Sequence, residues 1–146
     1  MTITPTNWIL SGMTAKVNTP LVEGIHNLRI VDAKFNDEEN YYSVTLASLD
    51  EDNQQSTVRY YVLKKDGNVN DVAVGTLNKL GYCIYGVEAG IPCPQDIING
   101  VVNAPVKISS YEGKSYVSIY DFNPVSRQTL DMVAQAGFPV IDQFTA

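Results

Sequence analysis

The side chains of this chain that could do chemistry are rings and cations. Tyr61, Tyr116, Tyr120 and Phe122 occupy strand positions opposite the expected apolar face, with Arg59 and Lys107 among them and Lys114 at the hairpin tip. Successive strand residues point to opposite faces, so a row of rings on the second face needs its own explanation. Aromatic rings stack on nucleobases of any sequence, at about 1–3 kcal/mol per base, while Lys and Arg follow phosphates. On this pattern Tyr61, Tyr116, Tyr120 and Phe122 would stack on bases, and Arg59, Lys107 and Lys114 would pair with phosphates. Tyr41 shares the face, and Lys64 and Lys65 sit at the end of the third strand. The competing use of these rings is structural: they could cover a barrel end, or lie beneath the N-terminal arm and the C-terminal helix.

Covalent chemistry finds no comparable set. His26 is the single histidine, lies in an expected strand, and has no nucleophile in sequence context. Gly81, Gly86 and Gly90 lack the lysine and the strand–helix context of a phosphate loop. Asp50-Glu51-Asp52 lacks the ligand spacing and glycine of a calcium loop. Cys83 and Cys93 form no CxxC and, with one histidine, fit none of the common zinc patterns. The expectation is a protein without catalysis, cofactor or metal.

Composition bounds the classes further. A chain of 146 residues with 45% hydrophobic and 18% charged residues reads as one globular domain that can bury its own core. Nine tyrosines against four phenylalanines and one tryptophan suit either a binding surface or a β-rich protein. The net charge of −6 argues against a generic polyanion binder but leaves room for a local basic patch. Two unpaired thiols and no recognisable signal peptide point to a reducing, cytoplasmic setting. No apolar run reaches the length of a membrane span, so no membrane partner is expected.

The elements that must position these residues follow from periodicity. Residues 1–22 read as an irregular arm anchored by Trp8-Ile9-Leu10. Strand one covers Ile25–Phe35, with a bulge expected near Ile30-Val31, where the apolar phase slips. Strand two covers Tyr41–Leu49, with Tyr42, Val44 and Leu46 on one face, and strand three covers Ser56–Lys64. A helix follows, capped by Asn70 or Asp71, carrying the stripe Ala73, Leu77, Leu80 and stopping at Gly81. Residues 82–91 take no clear assignment, and residues 94–99 suit one helical turn. Val101–Phe122 is a hairpin turning at Glu112-Gly113-Lys114. On its second arm Val117 and Ile119 share one face, and Tyr116, Tyr120 and Phe122 the other. Ser126 caps a last helix over Arg127–Ala136, with Val125 and Leu130 as a hydrophobic staple.

Five short strands with a helix between the third and fourth is the order of an OB-type barrel. The expected fold is mainly β with minor α: an OB-like five-stranded barrel, a helical insert between strands three and four, and a C-terminal helix. The expected divisions are an arm over 1–22, the OB-like domain over 23–125, and a helix and tail over 126–146.

Several segments resemble a family of small phage proteins. LVEGIHNLRIVDAKF (Leu21–Phe35) is similar to its opening pattern of proline or valine, Glu-Gly, an alternating strand and Val-Asp-Ala. In the same order follow YYSVTLASL, the helix end Leu77-Asn78-Lys79-Leu80-Gly81, and DIINGVVNAPVKISSYEGKSYVSIYDFNP (Asp96–Pro124). The last holds the most distinctive piece, a Tyr-x-Gly-Lys-x-Tyr hairpin leading to Phe-x-Pro. The resemblance spans about residues 21–125 and rests on the order of these pieces. It implies single-stranded-DNA binding in phage replication or recombination, on an OB-like core, with replication or recombination proteins as further partners. A homo-oligomer is compatible with it. The chain departs from the pattern in its acidic charge and in lacking a strongly acidic C-terminal tail, since only Asp142 stands near Phe144. Two other classes fit the same residues. One is a phage protein-interaction module, an inhibitor or DNA mimic of a host nucleic-acid enzyme. The other is a virion structural component whose arm binds a neighbouring subunit.

Overall fold

The computed structural model describes residues 19–51, 53–87 and 90–143. The anchor Trp8-Ile9-Leu10, most of the arm, Asp52 and Phe144 lie outside them. The chain is mainly β, with an antiparallel sheet and minor helices: β1 Gly24–Asn36, β2 Tyr41–Ser48, β3 Gln55–Tyr61, α1 Asp71–Tyr85, α2 Pro94–Ile97, β4 Val101–Tyr111, β5 Lys114–Ser118, β6 Asn123–Pro124 and α3 Arg127–Gln135.

The sheet runs β3-β2-β1-β4-β5, with β6 also on β4. β1 carries the architecture, because its second half pairs with β2 and its first half with β4. Its register with β2 shifts between Ile30 and Asp32, as the slipped apolar phase predicts, so Leu28, Ile30 and Ala33 all reach the core. Asn36 closes the β1–β2 turn, its side-chain oxygen accepting the backbone N–H groups of Glu38 and Glu39 at 3.0 Å each. Tyr42, Val44 and Leu46 of β2 and Val58 and Tyr60 of β3 face inward by strict alternation.

α1 covers that inner face with Ala73, Leu77, Leu80, Cys83 and Ile84. Asn70 caps it, accepting from the Ala73 N–H at 3.4 Å, but the helix runs past Gly81 and ends at Gly86, which adopts φ 74°. The expected stop at Gly81 is therefore corrected. Gly81 is needed for close approach, because a Cβ there would lie 3.3 Å from the ring of Pro92. A second small cluster joins Val101, Val125, Leu130 and Val133, holding α3 beside β4. Ser126 caps α3 through the Thr129 N–H at 3.1 Å. Beyond α3, Gln143 accepts from the Val101 N–H at 2.7 Å and donates to the Val101 carbonyl at 3.0 Å, tying the tail to the start of β4.

The expected barrel is not closed: β3 and β5 end the strand order and are not paired with each other. Ile119, on the stretch after β5, is nonetheless tied to β3, because the Tyr60 hydroxyl donates to its carbonyl at 2.7 Å.

The hairpin arm also differs from expectation in one respect. Lys107 faces Ser118, whereas Asn103 faces Asn123. Four steps along β4 thus match five along the other edge, so one extra residue lies between Ser118 and Asn123. That irregularity reverses the alternation, and Phe122 turns into the core beside Ile119.

Candidate nucleic-acid interface

The unpaired seam between β3 and β5 is a groove of about 670 Å³ lined by residues 57–61 and 116–120. The two register relations explain which side chains reach it. On β3, Arg59 and Tyr61 pair with Ser43 and Tyr41 of β2 on the outer face, opposite the buried Val58 and Tyr60. On the hairpin, Lys107 is opposite Ser118, Ser109 opposite Tyr116 and Tyr111 opposite Lys114, so these six share one face. The turn between them uses Glu112 at φ 50° and Gly113 at φ 76°, the two-residue pattern that matches strand twist.

Four of the seven candidate residues converge. Arg59, Tyr61, Tyr116 and Tyr120 line the groove, the three rings being 44%, 47% and 60% exposed. Lys107 and Lys114 are exposed on the hairpin face that carries Tyr116, outside the lining. Phe122 is removed from the set: it is fully buried, its ring 6.5 Å from that of Tyr60. Among the described residues no carboxylate lines the groove.

The β3 wall is braced from behind. The Tyr41 and Tyr61 rings lie 5.3 Å apart at 53°, and the Arg59 guanidinium lies 4.6 Å over the Tyr41 ring. A hydrogen bond with Tyr61 first, and the neighbouring Tyr41 next, keep Arg59 firmly in its charged form.

The opposite wall is pinned by α1. Thr76 Oγ1 lies 3.3 Å from the Tyr120 carbonyl, and Lys79 Nζ lies 2.7 Å from Asp121 Oδ1. That hydrogen bond lowers the Asp121 pKa and raises that of Lys79. With Ile119 and Phe122 buried on either side, Tyr120 stands on a short strap held at four points. Nothing local in the sequence links Lys79 to Asp121, so this support is visible only in the fold. Ile119 and Phe122, three positions apart, were the available sign that the strand alternation fails there.

His26 and Asp50 are both held in hydrogen bonds. Val22 O can only accept, so the buried His26 donates to it through Nε2 at 2.9 Å and offers Nδ1 to the Ser48 hydroxyl at 3.4 Å. Asp50 accepts from the Asn27 N–H at 2.8 Å. Both cysteines are free, Cys83 buried and Cys93 exposed, and burial pushes the Cys83 thiol up to about 11. Among the described residues no cluster of His, Cys, Asp and Glu could hold a metal, and no helix is long and apolar enough to cross a membrane.

No protein-family model matches the chain, and no curated protein matches its sequence.

Proposed function

We propose that this protein binds single-stranded DNA without catalysis, in the groove between β3 and β5. One observation carries the reading: three partly exposed tyrosines and an arginine from distant parts of the chain line a single groove whose lining, among the described residues, holds no carboxylate. Rings of this kind accept bases, and Arg59, with Lys107 and Lys114 on the flanking hairpin, follows the phosphates. The fold reads as an OB-type barrel opened along one seam. β3 and β5 both run in the direction of β1, each reached through one antiparallel neighbour, and β1 bridges the two halves. By resemblance, the setting is phage DNA replication or recombination in the host cytoplasm, with proteins of those processes as further partners.

The main rival is a DNA mimic directed at a host enzyme, which needs carboxylates beside the rings. The composition of the groove lining favours binding over mimicry. The test is anisotropy of a labelled dT oligomer at micromolar protein. Three phosphate contacts predict a slope of log K against log salt of about −2. No anisotropy change at low salt would remove the proposal.

A further inference from the structure

A second cleft, about 760 Å³, opens at the end of β3, and Tyr61 belongs to the walls of both. Its other lining residues include Lys64, Lys65, Asn40 and Asn70, with Glu39 as the one acid. The loop that carries the lysines is built rigidly. Leu63 bridges Val69, the Lys64 N–H donates to Asn68 O at 2.7 Å, and Gly67 N–H donates back to Lys64 O at 2.9 Å. Asp66 accepts from the Asn68 N–H and side-chain amide at 3.0 and 3.1 Å, so this neighbouring carboxylate is occupied within the loop. Asn70 fixes the loop to the groove wall, donating to Tyr61 O at 3.0 Å. Neither lysine is in an ion pair among the described residues.

Resting on the proposed reading of the groove, we infer that the phosphodiester path continues over Tyr61 into this cleft, where Lys64 and Lys65 contact phosphates. The Tyr41–Arg59 brace makes Tyr61 a fixed post between the two clefts, so a strand leaving the groove passes its ring and meets two cations. The path from Thr57 to Lys64 is about 23 Å at the rise of an extended chain. An oligomer of about four nucleotides, the smallest site of an OB-type domain, fills the groove alone, whereas a longer one reaches the lysines. Glu39 then stands closest to the phosphates of the longer strand, although its charge also reaches Arg59 in the groove.

The experiment measures dT oligomers of about 4 to 16 nucleotides by anisotropy across a salt series, with wild type, Lys64→Ala/Lys65→Ala and Glu39→Gln. For long oligomers the double variant should flatten the salt slope by about 1.4, at 0.7 per lost contact. Glu39→Gln should tighten long-oligomer binding by about two- to fivefold. Short oligomers should be indifferent to the double variant. Wild-type binding with unchanged slopes in the double variant at every length would overturn the extension and leave the groove reading intact. An equal loss for short and long oligomers would place the lysines within the groove's own site and also overturn it. No binding by wild type would overturn both. Unchanged far-UV circular dichroism of the variants excludes loss of folding as the cause.

Discussion

Tyr60 and Tyr61 are neighbours in sequence and belong to opposite regions of the molecule. Tyr60 is buried, its ring tilted towards that of Phe122, and its hydroxyl donates a hydrogen bond to Ile119 O. Tyr61 is 44% exposed and stands in the wall of two clefts. Tyr41 and Tyr42 divide in the same way, Tyr42 being buried with its hydroxyl donating to Pro92 O at 3.0 Å. An interior tyrosine needs a partner for its hydroxyl, because an unpaired buried donor costs about 1–3 kcal/mol. The groove tyrosines are under no such constraint, and their open ring faces are what a ligand could use. Strand alternation thus sorts these tyrosines into buried rings with paired hydroxyls and rings left partly open to solvent.

Substitutions should separate these two regions. The largest effect is expected in the core: Phe122→Ala or Tyr60→Ala should cost about 3–5 kcal/mol of stability in denaturant unfolding. Tyr60→Phe, which leaves Ile119 O without its partner, should cost about 1–3 kcal/mol. In the groove, Tyr61→Ala, Tyr116→Ala and Tyr120→Ala should each weaken dT binding by about 1–3 kcal/mol. Tyr116→Ala and Tyr120→Ala should leave stability within about 0.5 kcal/mol, whereas Tyr61→Ala also loses its cross-strand pairing with Tyr41 and should cost about 0.2–1 kcal/mol. If Tyr116→Ala or Tyr120→Ala unfolded the protein as Phe122→Ala does, the division of the hairpin arm would be wrong.

Alkaline titration sharpens the comparison without mutation. Burial raises the phenol pKa of Tyr42 and Tyr60 above the ordinary value of about 10. A raised folded pKa means that their contribution to stability is complete below about pH 10 and is lost as pH rises through the folded values. Tyr42 and Tyr60 should therefore ionise only together with unfolding. A smooth titration of all nine tyrosines in the folded protein would contradict this. The smallest effect concerns the thiols. Cys93 should react with a disulfide reagent at once, whereas Cys83, buried and raised to about 11, should wait for denaturant.

What could be read from sequence was whatever a local period or cap decides. The Tyr42–Val44–Leu46 face, the bulge at Ile30, the Asn70 and Ser126 caps and the Val125–Leu130 contact all follow from residues within a few positions of one another. The errors arose where a distant partner decides. Gly81 looks like a helix stop until Pro92 is seen against it. Phe122 looks like a surface ring until Asn123 and Pro124 are seen paired with β4 one residue out of step. Of the candidate site, the β3 half and two hairpin tyrosines were legible from alternation. The unpaired seam, and the strap held by Thr76 and Lys79, were not, because no local pattern records which strands end a sheet.

The central claim is most directly tested by titrating a labelled dT oligomer at low salt with wild type and with the triple variant Tyr61→Ala/Tyr116→Ala/Tyr120→Ala. Wild type should bind with micromolar or better affinity that falls as salt rises. The triple variant should lose at least about a hundredfold while keeping its far-UV spectrum and a cooperative unfolding transition. Equal binding by the two proteins, or none by wild type, would contradict the account.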